Sequence, residues 1–128
     1  MEERQLVSGG SRFEEIFGYS RAVRVGPWIA VAGCTAAGPE GPVGGPDMAA
    51  QARECLRRIE DALGEVGASL TDVVRTRVFT TDVTAWERIG AVHNEFFGTI
   101  RPASTIVEVA GLARDDLLVE IEADAVRL

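Results

Sequence analysis

Leu118-Val119-Glu120-Ile121-Glu122-Ala123-Asp124-Ala125-Val126-Arg127 is the stretch whose reading decides the fold. Side chains in a strand switch sides at every residue. Val119, Ile121, Ala123 and Ala125 therefore share one face, and Glu120, Glu122 and Asp124 share the other. The apolar face predicts burial under helices. The second face sets three carboxylates in a row, which is costly in a packed sheet unless cations or hydrogen-bond donors meet them. Just upstream, Ile100-Arg101-Pro102-Ala103-Ser104-Thr105-Ile106-Val107-Glu108-Val109 alternates in the same way and predicts a neighbouring strand.

Working outward, Ser20 to Val25 and Trp28 to Ala32 read as strands joined by a tight turn at Gly26-Pro27. The glycine- and proline-rich run from Ala36 to Pro46 reads as an exposed loop. The N-terminal Gln5-Leu6-Val7 piece is left open as a further strand. Asp47 then offers a helix N-cap, because its carboxylate can accept the free amides of the first turn. Met48, Ala52, Cys55, Leu56, Ile59, Leu63 and Val66 recur at steps of three and four, which predicts an amphipathic helix ending at Gly67. Val73 to Phe79 reads as a strand with Arg75 and Arg77 on one face. Thr84 and Glu87 have the spacing of a capping box that opens a second helix through Phe97, closed by Gly98, with Ile89, Val92 and Phe96 inside. The predicted order is β-β-(β)-α-β-α-β-β, an α+β fold with a mixed sheet. Two helices can cover only one face of it, so the acidic face meets water or another subunit. Arg75 and Arg77 are expected to neutralise the acidic row.

The chain of 128 residues suits one domain, 1–128, with a sizeable core. Its 46% hydrophobic and 26% charged content is that of a globular protein. A net charge of -7 argues against a nucleic-acid partner, which needs a basic surface to neutralise phosphates. The first ten residues contain Glu2, Glu3 and Arg4 and no apolar run, so no signal peptide is predicted. No stretch approaches the roughly 20 apolar residues of a membrane span. These features predict a cytoplasmic protein with no membrane partner, in which Cys34 and Cys55 are free thiols. One histidine and no closely spaced Cys/His set predict no metal site.

Several segments together resemble the Rid family (reactive intermediate deaminases, also called the YjgF family). They are Gly18-Tyr19-Ser20, Val31-Ala32-Gly33, Ala50-Gln51-Ala52, Asp72-Val73-Val74-Arg75-Thr76, Val78-Phe79 and Glu95-Phe96-Phe97, along with the two C-terminal strands. The resemblance implies a chorismate-mutase-like fold and a homotrimer with small-molecule sites in the clefts between subunits. It also implies hydrolysis of enamines or imines to a keto acid and ammonia, without a cofactor. In the family, the glutamate aligned with Glu120 assists the water and proton steps, and the backbone near Gly33 lines the pocket. The tyrosine aligned with Tyr19 closes the pocket from the neighbouring subunit. Deaminating members carry an arginine after the Pro-Ala pair to clamp the substrate carboxylate; this chain has Ser104 there. It also has Gly90 where some members have asparagine. Some members were once described as ribonucleases, a label the acidic charge opposes.

The expected site is therefore catalytic Glu120, with Tyr19, Gly33, Cys34, Arg101, Ser104 and Ile106 around the substrate. Each has a plainer reading. Glu120 could belong to an ion-paired row, and Arg101 could be a surface arginine fixed by Pro102. As a replacement clamp, Arg101 has the wrong strand parity relative to Ser104 unless Pro102 breaks the alternation. Cys34 has no visible base to activate it, and His93 reads as a helix-face histidine with a structural hydrogen bond. Two functions remain: a Rid-type hydrolase with substrate preference altered by Ser104, or a non-catalytic small-molecule-binding trimer using the inter-subunit cleft.

Overall fold

The computed structural model describes residues 3–128. Met1 and Glu2, part of the stretch read for a leader, lie outside the described residues. Six strands, β1 (Arg4–Val7), β2 (Ala22–Val25), β3 (Trp28–Cys34), β4 (Val73–Thr80), β5 (Ala103–Glu108) and β6 (Val119–Val126), form one mixed sheet. Its order is β1-β2-β3-β6-β4-β5, and among the described residues β4 and β5 are the one parallel pair. The deciding strand, β6, therefore lies inside the sheet, and its burial alternates along its whole length. No helix among the described residues is long and apolar enough to cross a membrane.

Two long helices, α2 (Met48–Gly64) and α3 (Trp86–Phe97), pack on the apolar face. Leu56, Ile59 and Leu63 of α2 and Ile89 and Val92 of α3 meet Val119, Ile121, Ala123 and Ala125 in one core cluster. Burying each large aliphatic side chain contributes about 1.5–3 kcal/mol, which is how the period of the helices and that of the strand reinforce each other. Gln51 is fully buried in this layer, yet every polar atom of its amide is used. Its Nε2 donates to the carbonyls of Gly45 and Asp116, and its Oε1 accepts from the Leu118 amide. That one side chain ties the loop before α2 and the loop before β6 to the same helix. On the other face Leu6, Val25 and Trp28 are exposed, on the same side of the sheet as the charged residues of β4 and β6.

The mixed sheet and its one-sided helices match the reading from sequence, and several details do not. The N-terminal piece does pair, as β1 on the edge of β2. A short helix α1 (Arg12–Phe17), capped by Ser11, was not predicted; it exposes Phe13, Ile16 and Phe17 and so lacks the one-sided pattern that reveals a helix. The hairpin turn forms as expected, with Val25 opposite Trp28 and Gly26 at φ 58, a conformation suited to glycine at the first position of a two-residue turn. Asp47 caps α2 through the Ala50 amide, but the helix stops at Gly64, before left-handed Gly67. The Thr84–Glu87 capping box does not form. Asp82 instead accepts from the amide and hydroxyl of Thr84, which opens a 3-10 turn, and α3 begins after it. On α3, Phe97 is the fully buried aromatic and Phe96 only partly so.

Candidate active site

Glu120 projects from β6 onto the uncovered face, in register with Phe79 of β4. Its other neighbour, β3, carries a bulge there. Val31 pairs with Ala123 and Cys34 with Ile121, so Ala32 and Gly33 together stand against Glu122 alone. The Glu120 carboxylate rests on Gly33 so closely that a Cβ at residue 33 would sit 2.0 Å from Oε2 and 2.8 Å from Cδ. Only a glycine leaves that niche open. Burial raises the Glu120 pKa above the ordinary carboxylate range, nearby Glu122 adds to the effect, and the charge of Arg21 opposes it.

Arg21 organises the far side of the bulge. Its Nη1 donates to the carbonyls of Ala32 at 3.2 Å and Gly33 at 2.7 Å and to the Cys34 sulfur at 3.2 Å. Its Nη2 lies 3.4 Å from the Tyr19 hydroxyl, and its guanidinium stands 5.7 Å from the centre of the Tyr19 ring. Tyr19 thus joins the niche of its own chain through Arg21. Cys34 is turned into the core and is 2% exposed; burial raises its pKa, which Arg21 only partly opposes, so the thiol is protonated and closed to a ligand. In the acidic row, Arg77 pairs with Asp124 at 3.0 Å and Glu122 at 3.4 Å. Arg75, expected to share this task, is in register with Asp124 but makes no ion pair among the described residues.

Ser104 and Arg101 lie elsewhere. Ser104 is in register with Thr76 on edge strand β5, and its Oγ is 2.7 Å from Thr76 Oγ1, which is 2.8 Å from His93 Nε2 on α3. Ser104 therefore faces the helices, the side opposite Glu120. It lines an open recess of about 440 Å³ with Gly90, His93, Asn94, Phe97 and Arg101. Arg101 has a left-handed backbone, φ 57, and its amide donates to the Phe97 carbonyl at 2.8 Å. That conformation costs about 1 kcal/mol for a side chain other than glycine. It also removes the parity argument against Arg101: the strand begins only at Ala103, so Arg101 and Ser104 line the same recess. Ile106 packs against the core instead of lining it.

The expected site thus falls into two groups within one chain. Glu120, Gly33 and Tyr19 come together, Arg101 and Ser104 come together, and Cys34 and Ile106 turn inward. Phe79 and Thr76 are three positions apart on β4 (79 − 76), which is about 10 Å of strand. Adding the change of face, a single small molecule cannot touch both groups in one copy. Sequence reasoning missed Arg21 and Thr76. Arg21 sits within the predicted first strand on the parity of Val23 and hence on the face of Glu120, so its position held a signal. Thr76 held none, since a threonine in a strand is ordinary until its partners are known.

The family profile described as Endoribonuclease L-PSP matches residues 9–127. The chain is 34% identical over 112 residues to the 2-iminobutanoate/2-iminopropanoate deaminase of Escherichia coli K12, spanning 85% of this chain and 87% of that one. It is 39% identical to a RutC family protein of Pyrococcus abyssi, over 84% of both chains. Among solved structures it is similar to Rv2704 of Mycobacterium tuberculosis, described as a member of the YjgF/YER057c/UK114 family. That match has a TM-score of 0.90 at 54% identity and covers 98% of this chain and 100% of the other. The Escherichia coli YjgF gene product superposes with a TM-score of 0.78 at 34% identity, over 86% and 88% of the two chains. With the sheet, its one-sided helices and these likenesses in agreement, the chain belongs to the Rid family, also known as YjgF or L-PSP.

Proposed function

We propose that this protein, acting as one unit over residues 1–128, is a Rid-type hydrolase that deaminates a small reactive enamine or imine. The observation that carries this reading is the Glu120 carboxylate, half-buried against Gly33 with its pKa raised. Imine hydrolysis needs one group to take a proton from the attacking water and return it to the departing nitrogen. The substrate carbon gains the oxygen, the C–N bond breaks, and ammonia leaves. A carboxylate whose pKa has risen toward the working pH serves both steps better than an ordinary one. Arg21 holds the carbonyls beside it, and no external redox partner is required. The net charge of -7 works against the endoribonuclease reading, because a polyphosphate backbone would be repelled.

The site is completed between copies of the chain: the Glu120 niche of one protomer faces the Ser104 recess of the next, in a homotrimer. The separation of the two groups on opposite faces supports this arrangement, as do the exposed apolar and acidic residues on the uncovered face. Ser104 cannot clamp a carboxylate as a guanidinium does, so the preferred substrate lacks the usual carboxylate or binds it through Arg101. Loss of one hydrogen bond to a charged group lowers affinity about 10- to 100-fold. Turnover of imines with and without a carboxylate, followed by semicarbazide trapping, tests the proposal. 2-Aminoacrylate-type imines should react about 10- to 100-fold more slowly than with an arginine-bearing relative. No turnover of any imine by a folded trimer would leave the binding-only reading, and a stable monomer at micromolar concentration would remove the shared site.

A further inference from the structure

His93 is the one histidine of the chain, half-buried on α3 with its ring centre 4.7 Å from that of Phe97. The line from His93 Nε2 to Thr76 Oγ1 to Ser104 Oγ runs from inside the fold to the recess, in steps of 2.8 and 2.7 Å. Thr76 is fully buried, so solvent does not reach its hydroxyl. A hydroxyl has a single proton, so this chain can point in only two directions. With a proton on Nε2, the ring donates to Thr76, Thr76 donates to Ser104, and the Ser104 proton is free for the recess. With Nε2 bare, Thr76 donates to the ring, Ser104 donates to Thr76, and Ser104 offers the recess only lone pairs. Neutral histidine can adopt either arrangement by changing tautomer; the imidazolium permits only the first.

We infer that His93, acting through buried Thr76, is a positioning residue that sets whether Ser104 offers a ligand in the Arg101 recess a hydrogen-bond donor. The ligand class is a small carboxylate, held by Arg101 and by Ser104 when His93 carries a proton on Nε2. The inference rests on the recess being a ligand site, as the functional reading holds, and not on imine turnover.

Few charges compete for control of His93. On α3 itself, Arg88 and Glu87 lie toward the start of the helix and Glu95 pairs with Arg53 of α2 at 2.8 Å. Arg57 of α2 pairs with Glu54, and Glu60 is exposed. Asp72, in the 3-10 turn next to α3, accepts from the Ser69 amide and meets Arg127 at 3.6 Å. Arg75 and Arg77 leave β4 on the other face, and among the described residues Arg101 is the charged side chain that lines the recess with His93. Burial alone lowers the His93 pKa from its ordinary 6.5, so the switch works on the acid side of that value. A bound carboxylate favours the imidazolium arrangement and must, by reciprocity, raise the His93 midpoint.

The test follows the His93 ring by NMR across pH in the untagged full chain, with propionate as the probe. Saturating propionate should raise the His93 midpoint and shift the neutral ring toward its Nε2–H tautomer, and propionate should bind about two- to threefold more tightly below that midpoint than at pH 8. Thr76→Val should abolish the coupling and Thr76→Ser should restore it. If Thr76→Val does not fold, Ser104→Ala asks the same question from the surface end and should also abolish it. An unmoved midpoint, no binding at either pH, or coupling that survives these substitutions would overturn the inference. Coupled titration without imine turnover would remove the hydrolase reading and keep this one. Turnover with an uncoupled His93 would do the reverse.

Discussion

The Glu120 niche is shaped by backbone in the middle of the sheet, whereas the Ser104 recess is shaped by side chains at its edge. In the niche a bulge in β3 and the absence of a Cβ at Gly33 make the space, and Arg21 holds the two bulge carbonyls. At the edge, the left-handed turn at Arg101 and the Ser104–Thr76–His93 line define a wider and more open surface. The lesson is one of tolerance. A site made by strand register inside a sheet resists change because every neighbour is hydrogen-bonded on both sides. An edge strand can exchange one side chain for another without disturbing the ladder, and there this chain carries Ser104.

Substitutions in the two regions should separate them sharply. Glu120→Gln keeps the shape of the side chain and removes the base, so imine turnover should fall about 10²-fold or more while sedimentation and the unfolding midpoint stay close to native. Unchanged turnover in that folded variant would move the chemistry away from the niche. Gly33→Ala should come next. Its methyl would meet the Glu120 carboxylate at 2.0 Å, so the carboxylate must leave or the bulge must shift. The carboxylate can swing out toward solvent, so the denaturation midpoint should move little while turnover falls by at least an order of magnitude. A native rate would show that the close approach is not needed for chemistry.

The recess should respond in the opposite sense. Ser104→Arg places a guanidinium on the edge strand and should raise turnover of carboxylate-bearing imines about tenfold, with little effect on stability because residue 104 is exposed. A rate that stays flat while the protein remains folded would mean that Arg101 already does this work or that the recess is not the substrate's other wall. The smallest effect concerns pH. Because the folded pKa of Glu120 lies above its unfolded value, the native state holds that proton longer than the unfolded chain does. Its contribution to stability is present below about pH 4.5 and is lost as pH rises through the raised folded value. Glu120→Gln should flatten that part of a stability-versus-pH curve. The amplitude should be small, since solvent still reaches the carboxylate. An identical slope in both proteins would show that the niche does not raise this pKa.

Much of the fold was legible because it rests on local periodicity. The alternation of β6, the three-and-four spacing of α2 and the Gly26-Pro27 turn each state their conformation within about ten residues, and burial then follows from which face is apolar. The misses have equally local causes. Helix α1 leaves its apolar residues exposed, and Asp82 competes with Thr84 for the same cap through a shorter turn. Of the site, Glu120 and Gly33 could be placed by family likeness, yet nothing in their 87-residue separation (120 − 33) says that one rests on the other.

The sequence by itself determined the elements, the one-sided burial of the sheet, the acidic face, the family and the presence of serine at position 104. Only the tertiary structure decided that Arg21 bridges Tyr19 to the Gly33 bulge, that Cys34 is closed off, and that Arg101 shares a recess with Ser104. It alone also joined His93 to that recess through Thr76. The physical reason is the range of the interactions. Strand and helix patterns are set by neighbours a few residues away, while a bulge, a register and a chain of hydroxyls are set by segments that meet only when the whole core is packed.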